Sequence, residues 1–289
     1  MITTNCKLIR VMTALMNEQF LITPEMHRTL TDIVKAHGFG GQAEADQHIK
    51  AQSYGQNPAK KAFQVLGNST AVIPCEGVIG RKFDDVLYSS GVTSIDIFER
   101  LVNTAADDDE IDSILFNFDS PGGTVTGVPE AAEAVRRAKN IKPVIAYADG
   151  QMCSAAYYIA SQATYIYALP SAQVGSIGVY LALLDYSRAA EMAGIKVELF
   201  KSGKNKGMGT PGTALSEEQR AMLQAKVDKT GAQFRATVNE GRGRTINPDV
   251  MQGQSFDTGE AKLNGLIDEI ASFDQALLDV MWLGKTGNK

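Results

Sequence analysis

The chain has 289 residues, 44% hydrophobic and 21% charged, with a formal net charge of −5. That length can bury a sizeable core in one large domain or two smaller ones, and the composition is that of an ordinary globular protein. The negative balance gives no electrostatic case for nucleic acid, no run of about 18 apolar residues is present for a membrane-spanning helix, and Cys6, Cys75 and Cys153 form neither a disulfide framework nor a zinc spacing.

The scattered cysteines favour a reducing compartment. The opening MITTNCKLIRVMTALMNEQF lacks the continuous apolar stretch and small-residue cleavage site of a signal peptide, so a cytoplasmic protein is expected. Residues 1–65 read as a helical N-terminal arm followed by a linker. In LITPEMHRTLTDIVKAHGFG, Thr23 can cap a helix, Pro24 takes its first position and Gly38 follows the last periodic residues. The polar stretch GQAEADQHIKAQSYGQNPAKK is the linker.

From residue 71 the pattern changes. AVIPCEGVI predicts a strand, and SIDIFERLVNTAADD a helix with Ile95, Ile97, Phe98, Leu101 and Val102 at helical spacing. A strand (IDSILFNFDS), a helix (VTGVPEAAEAVRRAKN) and another strand (KPVIAYAD) follow. Next come a helix in CSAAYYIASQA, strands in YIYALP and SIGVYLAL, a helix in DYSRAAEMAGI and a strand in KVELFKSG. A long helix begins at Ser216, where Glu218 and Gln219 give a near-match to a capping box. DTGEAKLNGLIDEIAS reads as a helix, a glycine turn and a short strand. Strands alternating with helices predict an α/β fold with a largely parallel sheet over residues 66–272, leaving 273–289 as a C-terminal tail.

Three features bear on chemistry. In FDSPGGTVTG the strand is expected to end at Asp119 or Ser120, with Pro121 fixing a turn. Gly122 and Gly123 then let main-chain N–H groups approach a ligand at the start of a helix, which suits an oxyanion hole; a turn that merely requires glycine reads the same way. In YADGQMCSAAYYIAS, Ser154 stands between a glycine turn and an apolar helix. It can cap that helix, or it can be a nucleophile with the Ala155 N–H beside it. The third feature is the placing of histidine: His27, His37 and His48 all lie in the N-terminal arm. A Ser-His-Asp triad or a Cys-His dyad within the α/β region is thereby excluded, and a lysine is the usual substitute base. FKSGKNKGMGTPG supplies Lys201, Lys204 and Lys206, a cluster that also reads as a solvated basic loop.

Taken in order, DSPGG, CSAAYYIASQATYIYALPSAQVGSIGV, FKSGKNKGMGTP and GEAKLNGLID resemble the signal peptide peptidase A (protease IV) family, and within it the short bacteriophage and prophage members that process capsid scaffolds. The resemblance covers roughly residues 70–270, and the LITPEMHRTLTDIV segment also looks like the start of phage members. It implies a Clp protease/crotonase-like fold with repeated ββα units and a Ser-Lys dyad. Ser154 would be the nucleophile, Lys206 the base, Ser176 of GSIG the residue holding the lysine, and Gly122, Gly123 and Ala155 the oxyanion hole. Ala155 and Ala156 replace two glycines of the family motif, and Cys153 stands where a small residue is usual.

The resemblance further implies a peptide or protein substrate, with capsid scaffold foremost, and a homo-oligomer without a membrane anchor, metal or cofactor. It would work in the host cytoplasm or inside the phage prohead. A substrate would lie extended beside a sheet edge, paired through its main chain. Three alternatives stand beside this reading: a bacterial-type signal-peptide or peptide hydrolase, a crotonase-like enzyme acting on a CoA thioester, and a catalytically silent scaffold protein.

Overall fold

The computed structural model describes residues 19–29, 63–67, 69–81 and 91–287. The linker and the predicted helix end near Gly38 lie outside the described residues. What is described of the first helix, α1, is residues 24–29, and the Met26 N–H donates to Thr23 Oγ1 at 3.5 Å. Strands β1 (Phe20–Ile22), β2 (Gln64–Leu66), β3 (Thr70–Gly80), β4 (Val92–Ser94), β5 (Ser113–Thr124), β6 (Val144–Cys153), β7 (Tyr165–Ala168), β8 (Gln173–Gly175), β9 (Ser255–Asp257) and β10 (Glu269–Ile270) form one sheet. Its main path runs β10-β7-β6-β5-β3-β2, and every pairing along it is parallel except β2 with β3.

The central strands are buried on both faces and therefore read as unbroken apolar runs. Residues 144–148 of β6 are all fully buried, as are Ile114, Leu115, Phe116 and Phe118 of β5. One face is covered by α2 (Ile95–Asp107), α3 (Val128–Lys139) and α4 (Ala155–Ala160). Helix α2 buries Ile95, Phe98 and Val102 of the apolar stripe its spacing predicts, together with Ala105 and Ala106, while Ile97 and Leu101 are half-buried. On the other face Val72, Leu115, Ile145 and Tyr147 pack with Ala276 and Val280 of α7 (Phe273–Thr286). The segment expected as a C-terminal tail is thus a helix docked on the sheet, capped by the Ser272 hydroxyl, which accepts from the Gln275 N–H.

Two further expectations change. Residues 196–203 form no strand, and in 176–183 the only pairing is an isolated bridge between Tyr180 and Phe20; the regular strand β8 ends just before, at Gly175. A strand needs a partner. Both edges of β8 are taken, by β6 and β9, and the chain beyond Tyr180 leaves the sheet. It carries the short helix α5 (Ser187–Met192), which buries nothing, and exposes Leu184 (61%), Met192 (80%) and Phe200 (94%). The long helix α6 (Glu217–Arg242) follows. Its capping box is complete, Ser216 and Gln219 each accepting from the other's main-chain N–H.

Candidate active site

The strands that build the site are irregular at their C-terminal ends. Pairing of β3 with β5 shifts between Glu76 and Val78, and pairing of β5 with β6 shifts between Phe118 and Ser120. These bulges turn both strands and re-aim the residues that follow. Asp119 holds the second bulge: its Oδ1 accepts from the Gln151 N–H at 3.0 Å. A Cβ at Gly150 would stand 2.4 Å from that same oxygen, so any side chain there must push the Asp119 carboxylate aside.

Strand β5 does not stop at Ser120 as expected but runs through Pro121, Gly122 and Gly123 to Thr124. The next helix begins only at Val128, so the two glycines lie on a strand and not at a helix start. Gly122 has φ 104°, and a Cβ there would come 2.9 Å from Ser154 Cβ. A Cβ on Gly123 would strike the Ile79 carbonyl oxygen at 1.7 Å. The Gly122 N–H donates to Ser120 Oγ at 3.1 Å, and that hydroxyl donates to the Gly77 carbonyl at 2.6 Å. Sequence reasoning passed over Ser120 and Asp119. The signal available was their position in DSPGG, immediately before the glycines.

Ser154 follows the last residue of β6 and precedes α4. It takes the N-cap position without acting as a cap: its side chain makes no capping hydrogen bond, and its φ of 55° and ψ of −115° lie outside the extended region a capping residue adopts. It is 2% exposed, and its N–H donates to the Gly175 carbonyl at 2.8 Å. Ser176 follows the neighbouring strand β8, one residue past the Cys153–Gly175 pair, and is 5% exposed with φ 53°. Among the described residues these two serines are the only non-glycine positions with positive φ. Such backbone costs on the order of 1–3 kcal/mol and gathers at functional sites. Ala155, directly after Ser154, opens α4 and is fully buried.

Lys206 is exposed on a turn where its N–H donates to the Gly203 carbonyl at 3.1 Å. Among the described residues no hydrogen bond joins it to Ser154 or Ser176. Lys204 of the same cluster is paired with Glu218 at 2.6 Å. The buried cysteines are unsuited to attack. Burial pushes the Cys153 thiol up to about 11 and the Cys75 thiol up to about 12. His27 comes back to the α/β region, its ring centroid 4.7 Å from Phe20 and 5.2 Å from Tyr180, and burial lowers its pKa. Among the described residues no cluster of His, Cys, Asp or Glu is arranged to hold a metal ion, and no helix is long and apolar enough to cross a membrane.

A buried serine on a strained strand-to-helix corner, faced by a glycine strand, is the arrangement of a hydrolase that uses a serine nucleophile. Residues 136–286 match the profile of Peptidase family S49, and the chain belongs to that family. It is 31% identical over 251 residues to Capsid assembly protease C of Escherichia phage lambda, covering 86% of this chain and 57% of that protein. It is 28% identical over 239 residues to Head-tail preconnector protein GP5 of Enterobacteria phage P21, covering 82% of this chain and 47% of that protein. A solved structure of a ClpP1 mutant from Listeria monocytogenes aligns with a TM-score of 0.44 at 14% identity, covering 71% of this chain and 94% of that one. The chain spans roughly half of the length of these two phage relatives.

Proposed function

We propose that the chain is a serine endopeptidase in which Ser154 is the nucleophile and Lys206 the base. The observation that carries this reading is the backbone at Ser154, held at positive φ against Gly122 without capping α4. Lys206, as general base, takes the proton from Ser154 Oγ as that oxygen bonds to the substrate carbonyl carbon. The carbonyl oxygen becomes an oxyanion facing the N–H groups of Gly123 and Ala155. The Gly122 N–H is engaged by Ser120, so Gly122 serves chiefly by lacking a side chain beside Ser154. The tetrahedral adduct collapses, the C–N bond breaks, and Lys206 returns its proton to the leaving amine. Water then hydrolyses the acyl-enzyme by the same route. Ser176, just past the end of the adjacent strand β8, holds the lysine by a hydrogen bond.

The enzyme works as a homo-oligomer. Leu184, Met192, Ile195 and Phe200 are exposed on one segment, and KVELF, patterned as a strand, has no strand partner among the described residues. Packing of this segment against another copy supplies the pairing and brings Lys206 to Ser154. The substrate is capsid scaffold or head protein, cut in the host cytoplasm or inside the prohead. The names of the two phage relatives support that reading. Co-expression with the scaffold and capsid chains of the same phage tests it. Cleavage of a scaffold chain that disappears with Ser154→Ala is the expected result, and intact scaffold beside the wild-type enzyme would refute the substrate assignment.

A further inference from the structure

The place where an extended substrate would lie is filled by the chain's own residues 19–23. Strand β1 pairs antiparallel with the end of β5, setting Phe20 opposite Thr124, Leu21 opposite Gly123 and Ile22 opposite Gly122. The Val125 N–H donates to the Gln19 carbonyl at 3.1 Å, and the Thr23 N–H donates to the Pro121 carbonyl at 3.0 Å. Hydrogen-bonded and non-hydrogen-bonded pairs alternate along an antiparallel ladder, so Leu21 and Gly123 form the bonded pair between them and the Gly123 N–H faces the Leu21 carbonyl. The other edge of β1 is engaged as well: Phe20 and Tyr180 exchange main-chain hydrogen bonds of 3.0 and 3.3 Å. Residues 19–23 are buried throughout.

The register also sets a particular bond over the serine. The point where a Gly122 Cβ would stand is 2.1 Å from the Leu21 carbonyl oxygen and 2.9 Å from Ser154 Cβ, so the two lie within about 5 Å of each other. A peptide laid across a sheet edge this way is bound by β-augmentation, with main-chain bonds giving affinity and alternate side chains giving selectivity. Here Phe20 packs on Tyr180 and His27, and Leu21 enters the main core.

We propose that β1 is a built-in pseudo-substrate, with Leu21–Ile22 at the position of the bond to be cut, and that substrates must displace it to reach Ser154. The proposal rests on the peptidase reading and adds regulation of the same groove. A competitor held in the groove lowers apparent affinity for any other ligand by the fraction of chains whose groove is open.

The test uses the full chain and the peptide aldehyde acetyl-Glu-Gln-Phe-Leu-al, which copies residues 18–21. Ser154 Oγ would add to its carbonyl carbon, with the hydroxyl proton passing to the carbonyl oxygen. Leu21→Pro removes one main-chain donor of β1, and Phe20→Gly removes its ring anchor, so a folding failure of either leaves the other to read. Each variant is expected to bind the aldehyde about tenfold more tightly than wild type, the ratio that 1.4 kcal/mol of lost strand affinity gives. In the wild-type chain, saturating aldehyde is expected to speed hydrogen exchange at residues 20–23 as β1 leaves. Equal affinities in all three chains, with exchange at 20–23 unchanged while the aldehyde is bound, would overturn the proposal. Failure of the peptidase reading looks different: no chain would form the Ser154 adduct, and Ser154→Ala would bind the aldehyde as wild type does.

Discussion

Ser154 and Ser176 leave adjacent parallel strands side by side, one residue past the paired Cys153 and Gly175, and both carry a positive φ, 55° and 53°. Two neighbouring β-carbon-bearing residues in unfavourable backbone are costly to keep. Serine at 154 does not recover that cost by capping α4. At Ser154 this strained backbone sets the side chain against the glycine strand of β5, where a Gly122 Cβ would come 2.9 Å from Ser154 Cβ.

The cost can be measured at Ser154. Glycine adopts positive φ without penalty, whereas alanine does not. Ser154→Gly is expected to be about 1 kcal/mol more stable than Ser154→Ala, within the range such strain stores. Both variants should be inactive. Thermal melts that coincide for the two would remove the strain argument.

Glycines 123 and 150 separate two kinds of close approach. Gly123→Ala sets a methyl 1.7 Å from the Ile79 main-chain oxygen, and backbone cannot swing aside. A loss of about 3 kcal/mol or more in denaturant unfolding is expected. Gly150→Ala meets the Asp119 carboxylate, a side chain that can rotate away. Its stability should fall less, but the β6 bulge loses the Asp119 hydrogen bond to Gln151 and turnover should drop. Equal destabilisation by the two variants would contradict this distinction.

The buried thiols set a prediction in pH. With burial raising Cys153 to about 11 and Cys75 to about 12, the reactive thiolate is scarce near neutrality and grows only as pH rises toward those values. Iodoacetamide at pH 8 should therefore leave both unmodified in the folded chain and leave peptidase activity intact. Rapid labelling of Cys153 at that pH, read by peptide mass spectrometry, would show a site more open than described.

How much of this was legible in the sequence varies with what each residue depends on. Helix α2, the apolar runs of β5 and β6 and the cap at Ser216 follow local pattern, and their structures match it. Pro121 and the two glycines predict a turn locally, whereas pairing with β1 and β3 keeps the chain extended. KVELF has strand chemistry, but a strand also needs an edge to pair with, and the described chain supplies none. At Ser154 the sequence offers a cap or a nucleophile, and the backbone angles and the missing capping hydrogen bond speak against the cap. The docking of residues 20–22 on β5 depends on a contact between segments about 100 positions apart, which no short-range periodicity reports.

The exposed segment after Tyr180 yields a prediction on assembly. Phe200 is 94% exposed and Leu184 61% exposed. Phe200→Asp and Leu184→Asp should leave the melting temperature of the folded chain nearly unchanged, since exposed positions contribute little to it. They should shift the oligomer toward monomer in sedimentation and lower turnover in parallel. A monomeric variant with full activity would disconnect assembly from the placing of Lys206.

The most direct measurement is turnover of a cleaved substrate by wild type, Ser154→Ala and Lys206→Ala, with circular dichroism confirming that each is folded. The account predicts that both variants lose activity by about 10³-fold or more, as removal of either member of a nucleophile–base pair does. Activity surviving in folded Ser154→Ala would contradict the central claim and leave Ser154 a strained corner of the fold without a part in the chemistry.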